Sequence, residues 1–331
     1  MKLQDEIFVI KRLNCDERMP LVSVVIPLYN KQLYIKRAIE SVLIQTTQDF
    51  EIIVVDDGST DKSAEIVQNI NDRRIRLIQQ RNGGVSVARN RGIKEAKADL
   101  IAFLDADDEW LPDFINTVIE LRQKFPDAGA YLTNYFHYIN TNIESQKKIY
   151  GIPTQACFGI LHSYFESATK GADPITSSNV LIPKQIFDIV GKFPVDESWG
   201  EDSDMWGRIA LRYPIAYSGK KCSIYHAEIR NKNFIKHEAI EHHPFVKTAN
   251  LAMSNNEVPL EMCSHLKEYM AKRQLETAFR NLLASRPDLA RTNIKECETH
   301  IYNKKKYWIL FWTYIPSKIF LLLRSWKTKI E

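Results

Sequence analysis

The sequence has no glycine in the turn after its first apolar strand, where Val22–Ile26 runs into Pro27-Leu28-Tyr29-Asn30. A dinucleotide-binding unit needs Gly-x-Gly-x-x-Gly there so that a pyrophosphate can approach a helix N-terminus, which argues against nicotinamide and flavin dehydrogenases. A Walker-type P-loop is missing as well. The five cysteines, Cys15, Cys157, Cys222, Cys263 and Cys297, are odd in number and scattered. No Cys-x-x-Cys pair suggests zinc or a redox couple, and a reducing, cytoplasmic compartment is the expectation. Met1 to Pro20 is broken up by Lys2, Asp5, Glu6, Lys11, Arg12, Asp16, Glu17 and Arg18, so it lacks the apolar core of a secretory leader and reads as a surface extension, residues 1–20. Internal repeats and low-complexity tracts are absent. So is a basic stripe over the body of the chain: the net charge is +4, residues 301–331 carry +6, and the remainder is about −2. Nucleic acid is therefore not an expected partner.

What is present is an α/β pattern. With 331 residues, 44% of them apolar, the chain can build a large core. Short buried runs at Val22–Ile26, Ile52–Val55, Ile75–Ile78 and Leu100–Leu104 alternate with amphipathic stretches at Lys31–Gln45, Asp61–Asn71 and Val85–Ala96. This is the βαβ signal of a mostly parallel sheet. Asn30 and Thr60 are suited to N-caps, and Pro112 to the first turn of the next helix. Further along, Tyr131–Tyr138 and Asn179–Pro183 read as strands and Gln185–Val190 as a helix. After Arg230 the chain reads as mostly helical, with Glu261–Ser285 clearest and Asp288–Ile301 next.

Two acidic clusters stand where buried runs end: Asp56-Asp57-Gly58-Ser59 and Asp105-Ala106-Asp107-Asp108. In open parallel sheets ligands bind outside the carboxyl ends of the strands, so the two clusters can converge on one crevice. Asp57 can accept a hydrogen bond from a pyrimidine N–H, or simply cap the helix starting near Asp61. Asn82-Gly83-Gly84 allows backbone to approach a ligand closely. Arg89 reaches a diphosphate or lies on a solvated helix face. Asp105-x-Asp107 supplies the one or two carboxylates that Mg²⁺ or Mn²⁺ takes from protein when phosphates and water supply the rest.

In order, Val22-Ser23-Val24-Val25-Ile26-Pro27-Leu28-Tyr29-Asn30, Val54-Val55-Asp56-Asp57-Gly58-Ser59-Thr60-Asp61, Ala88-Arg89-Asn90 and Phe103-Leu104-Asp105-Ala106-Asp107-Asp108 resemble the family 2 glycosyltransferases, over roughly residues 21–226. The resemblance implies a GT-A fold, an α/β nucleotide-binding architecture with a mostly parallel sheet. Residues 21–127 would form the nucleotide-sugar half and 128–230 the acceptor half, followed by a helical region, 231–300, and a basic aromatic tail, 301–331. It also implies an inverting transfer from a nucleotide-activated sugar, expected to be a UDP-sugar, with Mn²⁺ or Mg²⁺. Pro27, Tyr29, Asp57, Gly84, Arg89 and Asp105 would bind the donor, with Asp57 at the base and Asp105 at the ribose and sugar. Asp107 and His226 would hold the metal.

In Gly200-Glu201-Asp202-Ser203-Asp204-Met205-Trp206, Asp202 matches the family's catalytic base, with Glu201 and Asp204 as rivals. An inverting displacement needs a carboxylate to take the acceptor proton, and a helix start favours the ionised form. Trp199 and Glu201 are placed on the acceptor side, with Asn179 a weaker candidate. The acceptor is expected to be a glycan or lipid-linked hydroxyl in surface-polysaccharide assembly. The Gln-x-x-Arg-Trp of processive relatives is missing, so one sugar is added. The competing reading is a sugar-nucleotide-binding scaffold without turnover.

The tail joins Lys304-Lys305-Lys306 to Trp308, Trp312, Ile315, Ile319, Leu322 and Trp326 at helical spacing. Spanning a bilayer takes about 20 apolar residues, and Pro316 and Lys318 interrupt this run. Basic and aromatic residues together suit a helix lying on the inner face of an anionic membrane, the alternative being a helix docked on the catalytic domain.

Overall fold

Period-2 alternation decides which side of the sheet each apolar residue serves. Val25, Ile53, Val55, Ile101 and Phe103 enter one buried cluster, while Val24, Ile26, Ile52, Val54, Ala102 and Leu104 enter another. Both faces of these strands are apolar because helices cover both, as a parallel α/β sheet requires. The structure, a computed structural model, describes residues 19–139, 142–144, 149–152, 157–226 and 238–327. The expected N-terminal extension lies almost wholly outside these residues, as do Cys15 and Lys329, and the side chain of Trp326 is not described.

The strands are β1 (Val22–Leu28), β2 (Phe50–Asp56), β3 (Ile75–Gln79), β4 (Leu100–Phe103), β5 (Glu109–Trp110), β6 (Ala130–Ile139), β7 (Asn142–Glu144), β8 (Phe158–Ile160), β9 (Val180–Pro183) and β10 (Ile215–His226). The helices are α1 (Ile35–Leu43), α2 (Ser63–Gln68), α3 (Val85–Glu95), α4 (Phe114–Lys124), α5 (Tyr164–Lys170), α6 (Lys184–Val190), α7 (Glu201–Ala210), α8 (Pro244–Ser254), α9 (Leu260–Leu283), α10 (Pro287–Lys295), α11 (Asn303–Trp312) and α12 (Ser317–Lys327). One sheet runs β3-β2-β1-β4-β9-β6-β10-β5, with β7 on β6 and β8 on β10. The long ladders are parallel: β2 lies against β1 and β3, β4 against β1, and β10 against β6. The short strand β9 runs antiparallel to both β4 and β6 and joins the two parallel halves.

Register places the chemistry. Leu28 pairs with Asp56 and Val25 with Phe103, so β1, β2 and β4 end along one edge and deliver Tyr29, Asp57 and Asp105 to it.

Three local expectations are corrected. Asn30 and Thr60 are not N-caps: α1 and α2 are capped at Tyr34 and Lys62, without side-chain bonds. Asn30 has φ 51° and its Oδ1 accepts from Thr60 N–H at 2.8 Å, which ties the loop after β1 to the loop after β2. Lys31 and Gln32 stay outside the first helix because their N–H groups donate to Ser63 Oγ and Asp61 Oδ2. Pro112 precedes the α4 cap, Asp113, and its carbonyl accepts from Thr46 N–H at 2.8 Å.

Beyond the sheet, α9 serves two clusters. Leu266, Tyr269 and Met270 pack with the sheet's core, while Ala271, Leu275, Ala278 and Leu282 pack with Ala290, Ile294, Cys297, Ile309 and Phe320. The long helix therefore anchors α10, α11 and α12 to the sheet.

Candidate active site

The edge where β1, β2 and β4 end opens into a cleft of about 930 Å³. It gathers nearly every site residue expected from the sequence: Pro27, Tyr29, Asp57, Gly84, Arg89, Asp105, Asp107, Trp199, Glu201 and Asp202 all line it. His226 and Asn179 are not among the lining residues.

Asp57 is buried and already engaged. Its carboxylate accepts from Gly83 N–H at 2.9 Å, Gly84 N–H at 2.7 Å and Gln80 Nε2 at 2.7 Å. It thus caps α3, whose N-terminus begins at Gly84, and not the helix near Asp61. The amides of Gly83 and Gly84, expected to approach a ligand, are spent on this carboxylate. Gly58 makes the turn possible: at φ +76° a Cβ would stand 2.9 Å from Asn82 N.

Arg89 is fully buried, with NH2 on Asp105 Oδ1 at 3.0 Å, NH1 on Glu201 Oε1 at 3.1 Å and the Phe193 ring 5.3 Å away. It is not a solvated helix residue, and the guanidinium expected at a diphosphate is held by two carboxylates. It ties the loop after β4 to the start of α7. Burial alone would lower its pKa, but Asp105 and Glu201 reverse the sign and keep it charged.

The second acidic cluster divides its labour. Asp107 faces the cleft and takes Lys31 Nζ at 2.5 Å, while its carbonyl accepts from Arg37. Asp108 points inward: its carboxylate accepts from Ser178 Oγ at 2.5 Å and from His226 N–H at 2.9 Å. Burial, with Asp105 and Asp107 adding to it, pushes the Asp108 carboxyl up to about 7. His226 sits at the end of β10 and places Nε2 2.8 Å from Glu109 Oε1, so its ring pairs with Glu109 and not with the Asp107 carboxylate. Among the described residues no group of three His, Cys, Asp or Glu converges on one metal position. A magnesium-type site does not need three when phosphates and water complete it. The hard oxygens of Asp107, already holding a cationic ammonium, fit such an ion.

The acidic start of α7 separates the three rival carboxylates. Asp204 is buried, accepting from Arg208 Nε at 2.8 Å and Thr248 Oγ1 at 2.6 Å, and serves the fold. Glu201 is committed to Arg89, and burial followed by Asp202 raises its pKa. Asp202 lines the cleft, and only Oδ1 is engaged, by Ser203 N–H at 2.6 Å and Ser203 Oγ at 3.3 Å. Its Oδ2 has no partner among the described residues. Of the three, the geometry therefore leaves Asp202 with a carboxylate oxygen open to the cleft.

The turn carrying Asp202 is supported from below. Gly200 has φ +83°, and a Cβ there would stand 2.6 Å from His243 Nε2. His243 accepts from Phe245 N–H at Nδ1, and its ring meets Trp199 edge-on at 5.2 Å. Burial, then the neighbouring Arg273, hold its pKa well below the ordinary 6.5, with Asp173 opposing. The folded protein keeps His243 neutral, while the unfolded chain protonates it below 6.5. Its stability contribution is present above that pH and is lost as pH falls toward the folded value, by up to about 1.4 kcal/mol per unit. Urea midpoints should fall between about pH 6.5 and 5 in the wild type, and His243→Gln should flatten that slope. Parallel slopes in the two proteins would refute the assignment.

Sequence reasoning missed four polar lining residues, Lys31, Asp173, Ser198 and Arg273. Arg273 had a signal: it lies four residues after Tyr269 and seven after Leu266, a cation on the buried stripe of α9.

Residues 23–184 match the family model described as Glycosyl transferase family 2. An uncharacterized glycosyltransferase of Rickettsia felis is 35% identical over 207 residues, covering 61% of this chain and 32% of that protein. The glycosyltransferase GlyG of Streptococcus pneumoniae is 42% identical over 121 residues, 36% of this chain and 40% of that protein. The chain thus spans about a third of the Rickettsia relative. The crystal structure of S. aureus TarS 1-349 in complex with UDP-GlcNAc superposes with a TM-score of 0.56 at 18% identity, over 82% of this chain and 88% of that one. The fold is of the GT-A type expected from the sequence.

Proposed function

We propose that this chain, whose residues 23–184 match glycosyl transferase family 2, moves a single sugar with inversion from a nucleotide donor to an acceptor hydroxyl. The observation that carries the reading is the cleft itself, with Asp57, Asp105 and Asp107 on one wall and Asp202, engaged by Ser203 at Oδ1, across Arg89 and Glu201. The acceptor oxygen attacks the anomeric carbon as Asp202 Oδ2 takes its proton, and the bond to the diphosphate breaks on the opposite side. Asp107, with Asp105 beside it, would hold Mg²⁺ or Mn²⁺. When bound, that cation neutralises charge on the leaving diphosphate. Lys31, at Asp107, adds a positive group from the same wall.

A UDP-sugar is the donor class, in keeping with the UDP-GlcNAc complex of TarS. A glycan or lipid-linked saccharide in surface-polysaccharide assembly is the acceptor class. Screening nucleotide release from UDP-, GDP- and dTDP-sugars with Mn²⁺ tests the reading. Binding of a sugar nucleotide without turnover, whatever the acceptor, would support the scaffold alternative instead.

The tail fits attachment to an anionic membrane surface on the cytoplasmic side. No helix among the described residues is long and apolar enough to cross a membrane. Helices α11 and α12 instead dock by one face, burying Ile309 and Phe320, with Trp308 against Phe279 and Trp312 against Phe320. The other face stays out, with Tyr307, Phe311, Tyr314 and Leu322 each more than half exposed. The docked face matches the docking-helix alternative, and the exposed face is the one proposed to meet the membrane. The triple variant Phe311→Ser, Tyr314→Ser, Leu322→Ser should bind phosphatidylglycerol vesicles about 100-fold more weakly, at roughly 1 kcal/mol per partly inserted side chain. It should keep its melting temperature, whereas deleting residues 303–331 uncovers the apolar face of α9 and lowers it. Equal vesicle binding by the triple variant and the wild type would sink the attachment idea.

A further inference from the structure

One wall of the cleft is used neither by the donor residues nor by the base. Asp173, ahead of β9, and Arg273, from the middle of α9, both line it. Arg273 NH2 donates to Asp173 Oδ1 at 2.9 Å and to the Tyr269 hydroxyl at 2.9 Å, and NH1 donates to Glu276 Oε2 at 2.8 Å. Lys272 Nζ reaches the same Asp173 Oδ1 at 3.2 Å, and the Asp173 carbonyl accepts from the Tyr135 hydroxyl at 2.9 Å. One carboxylate oxygen is therefore fixed by two cations on a rigid helix.

The other oxygen, Oδ2, has no partner among the described residues. Neither has Arg273 Nε, although that arginine is 95% buried. A pair built only to hold α9 against the domain would close on itself, because an unmatched buried donor costs stability. Here the carboxylate keeps an open acceptor beside the cleft, its side chain 39% exposed, while the arginine keeps a buried, unmatched donor. Arg273 and Lys272 offset the carboxylate's charge, so it can accept from hydroxyls without strongly repelling a diphosphate nearby. Trp199, three residues before Asp202, lies in the same cleft with the Arg280 guanidinium 5.4 Å from its ring. A flat aromatic surface beside a fixed hydroxyl acceptor suits a pyranose ring, whose CH face is apolar and whose edge donates.

We propose that Asp173, held by Arg273 and Lys272, accepts a hydroxyl of the acceptor's sugar ring lying against Trp199, so that helix α9 takes part in choosing the acceptor. The inference rests on the transferase reading of the cleft. Asp202 takes the proton of the reacting hydroxyl, while Asp173 positions the ring that bears it.

The test uses the full chain, its donor and fluorescently tagged mono- and disaccharides as probe acceptors. Absence of nucleotide release by the wild type would overturn the transferase reading and this proposal with it. Given release, Asp173→Asn should raise the KM for the tagged acceptor about ten- to a hundredfold while the donor KM moves by less than about twofold. The double variant Asp173→Asn, Arg273→Met removes both charges and serves where the single change, which leaves Arg273 with Glu276 as its carboxylate partner, lowers stability too far. Monodeoxy forms of the tagged acceptor give the wild-type counterpart, since removing one ring hydroxyl should raise KM to a similar extent. An unchanged acceptor KM in a folded variant overturns the proposal alone. So does wild-type donor turnover that glycosylates none of the tagged saccharides, or monodeoxy acceptors that all behave like the parent.

Discussion

Asp202→Asn should lower sugar transfer by about 10² to 10⁴-fold, the usual worth of a positioned general base, while nucleotide affinity stays nearly unchanged. The substitution is conservative in every respect but one. An asparagine Oδ1 can still accept from Ser203 N–H, and Gly200 still turns over His243, so the start of α7 should keep its shape. What is lost is the open oxygen's ability to take a proton. The neighbouring carboxylates give contrasting controls. Glu201→Gln weakens the pairing of the buried Arg89, and Asp204→Asn weakens the bonds to Arg208 and Thr248, so both should lower the melting temperature as well as any activity. Single-turnover transfer, nucleotide titration and thermal unfolding together separate the three residues. Near-normal transfer by Asp202→Asn would remove it from the mechanism and shift the role to Glu201.

The frame of this site was legible because it depends on short-range pattern. Apolar runs fix β1, β2 and β4, their parallel alignment follows from the βαβ rhythm, and the acidic clusters ride on their ends. What the residues do once there depends on partners far away in sequence. Asp57 reads equally well as a base-binding group or a local helix cap, and the structure shows it gripping the amides of Gly83 and Gly84, 26 and 27 residues on. Arg89 has Arg91 and Lys94 as sequence neighbours and looks solvated, yet its carboxylate partners lie 16 and 112 residues away. Asn30 and Thr60 have cap chemistry and use it across two loops instead of on their own helices.

The same distance hides Asp173. It falls in a stretch with no regular periodicity, and its partner Arg273 comes 100 residues later. By contrast, the ambiguity of the tail was real: an amphipathic pair of helices can dock by one face and display the other, and α11 and α12 do both.

Asp107→Ala should make donor binding insensitive to Mn²⁺ and lower transfer on the order of 10³-fold, because several kcal/mol of charge stabilisation on the leaving diphosphate goes with it. The cleft makes this residue hard to replace. Asp105 is engaged by Arg89, and Asp108 is turned inward to Ser178 and the His226 backbone, with burial, then Asp105 and Asp107, favouring its protonated form. His226 is occupied by Glu109 and stands apart from the cleft lining. Removing Asp107 also frees Lys31, whose ammonium loses its 2.5 Å partner and becomes available to the phosphates. Nucleotide affinity measured without metal should therefore hold steady or rise slightly in the variant, even as its response to Mn²⁺ disappears. This opposed pair of changes separates loss of a cation ligand from general damage to the cleft, which would weaken nucleotide binding with and without metal alike. Isothermal titration of nucleotide at several Mn²⁺ concentrations, with excess chelator as the zero point, makes the comparison. Full transfer by Asp107→Ala, persisting in chelator, would show that the diphosphate's charge is met by Lys31 and other groups of the chain alone.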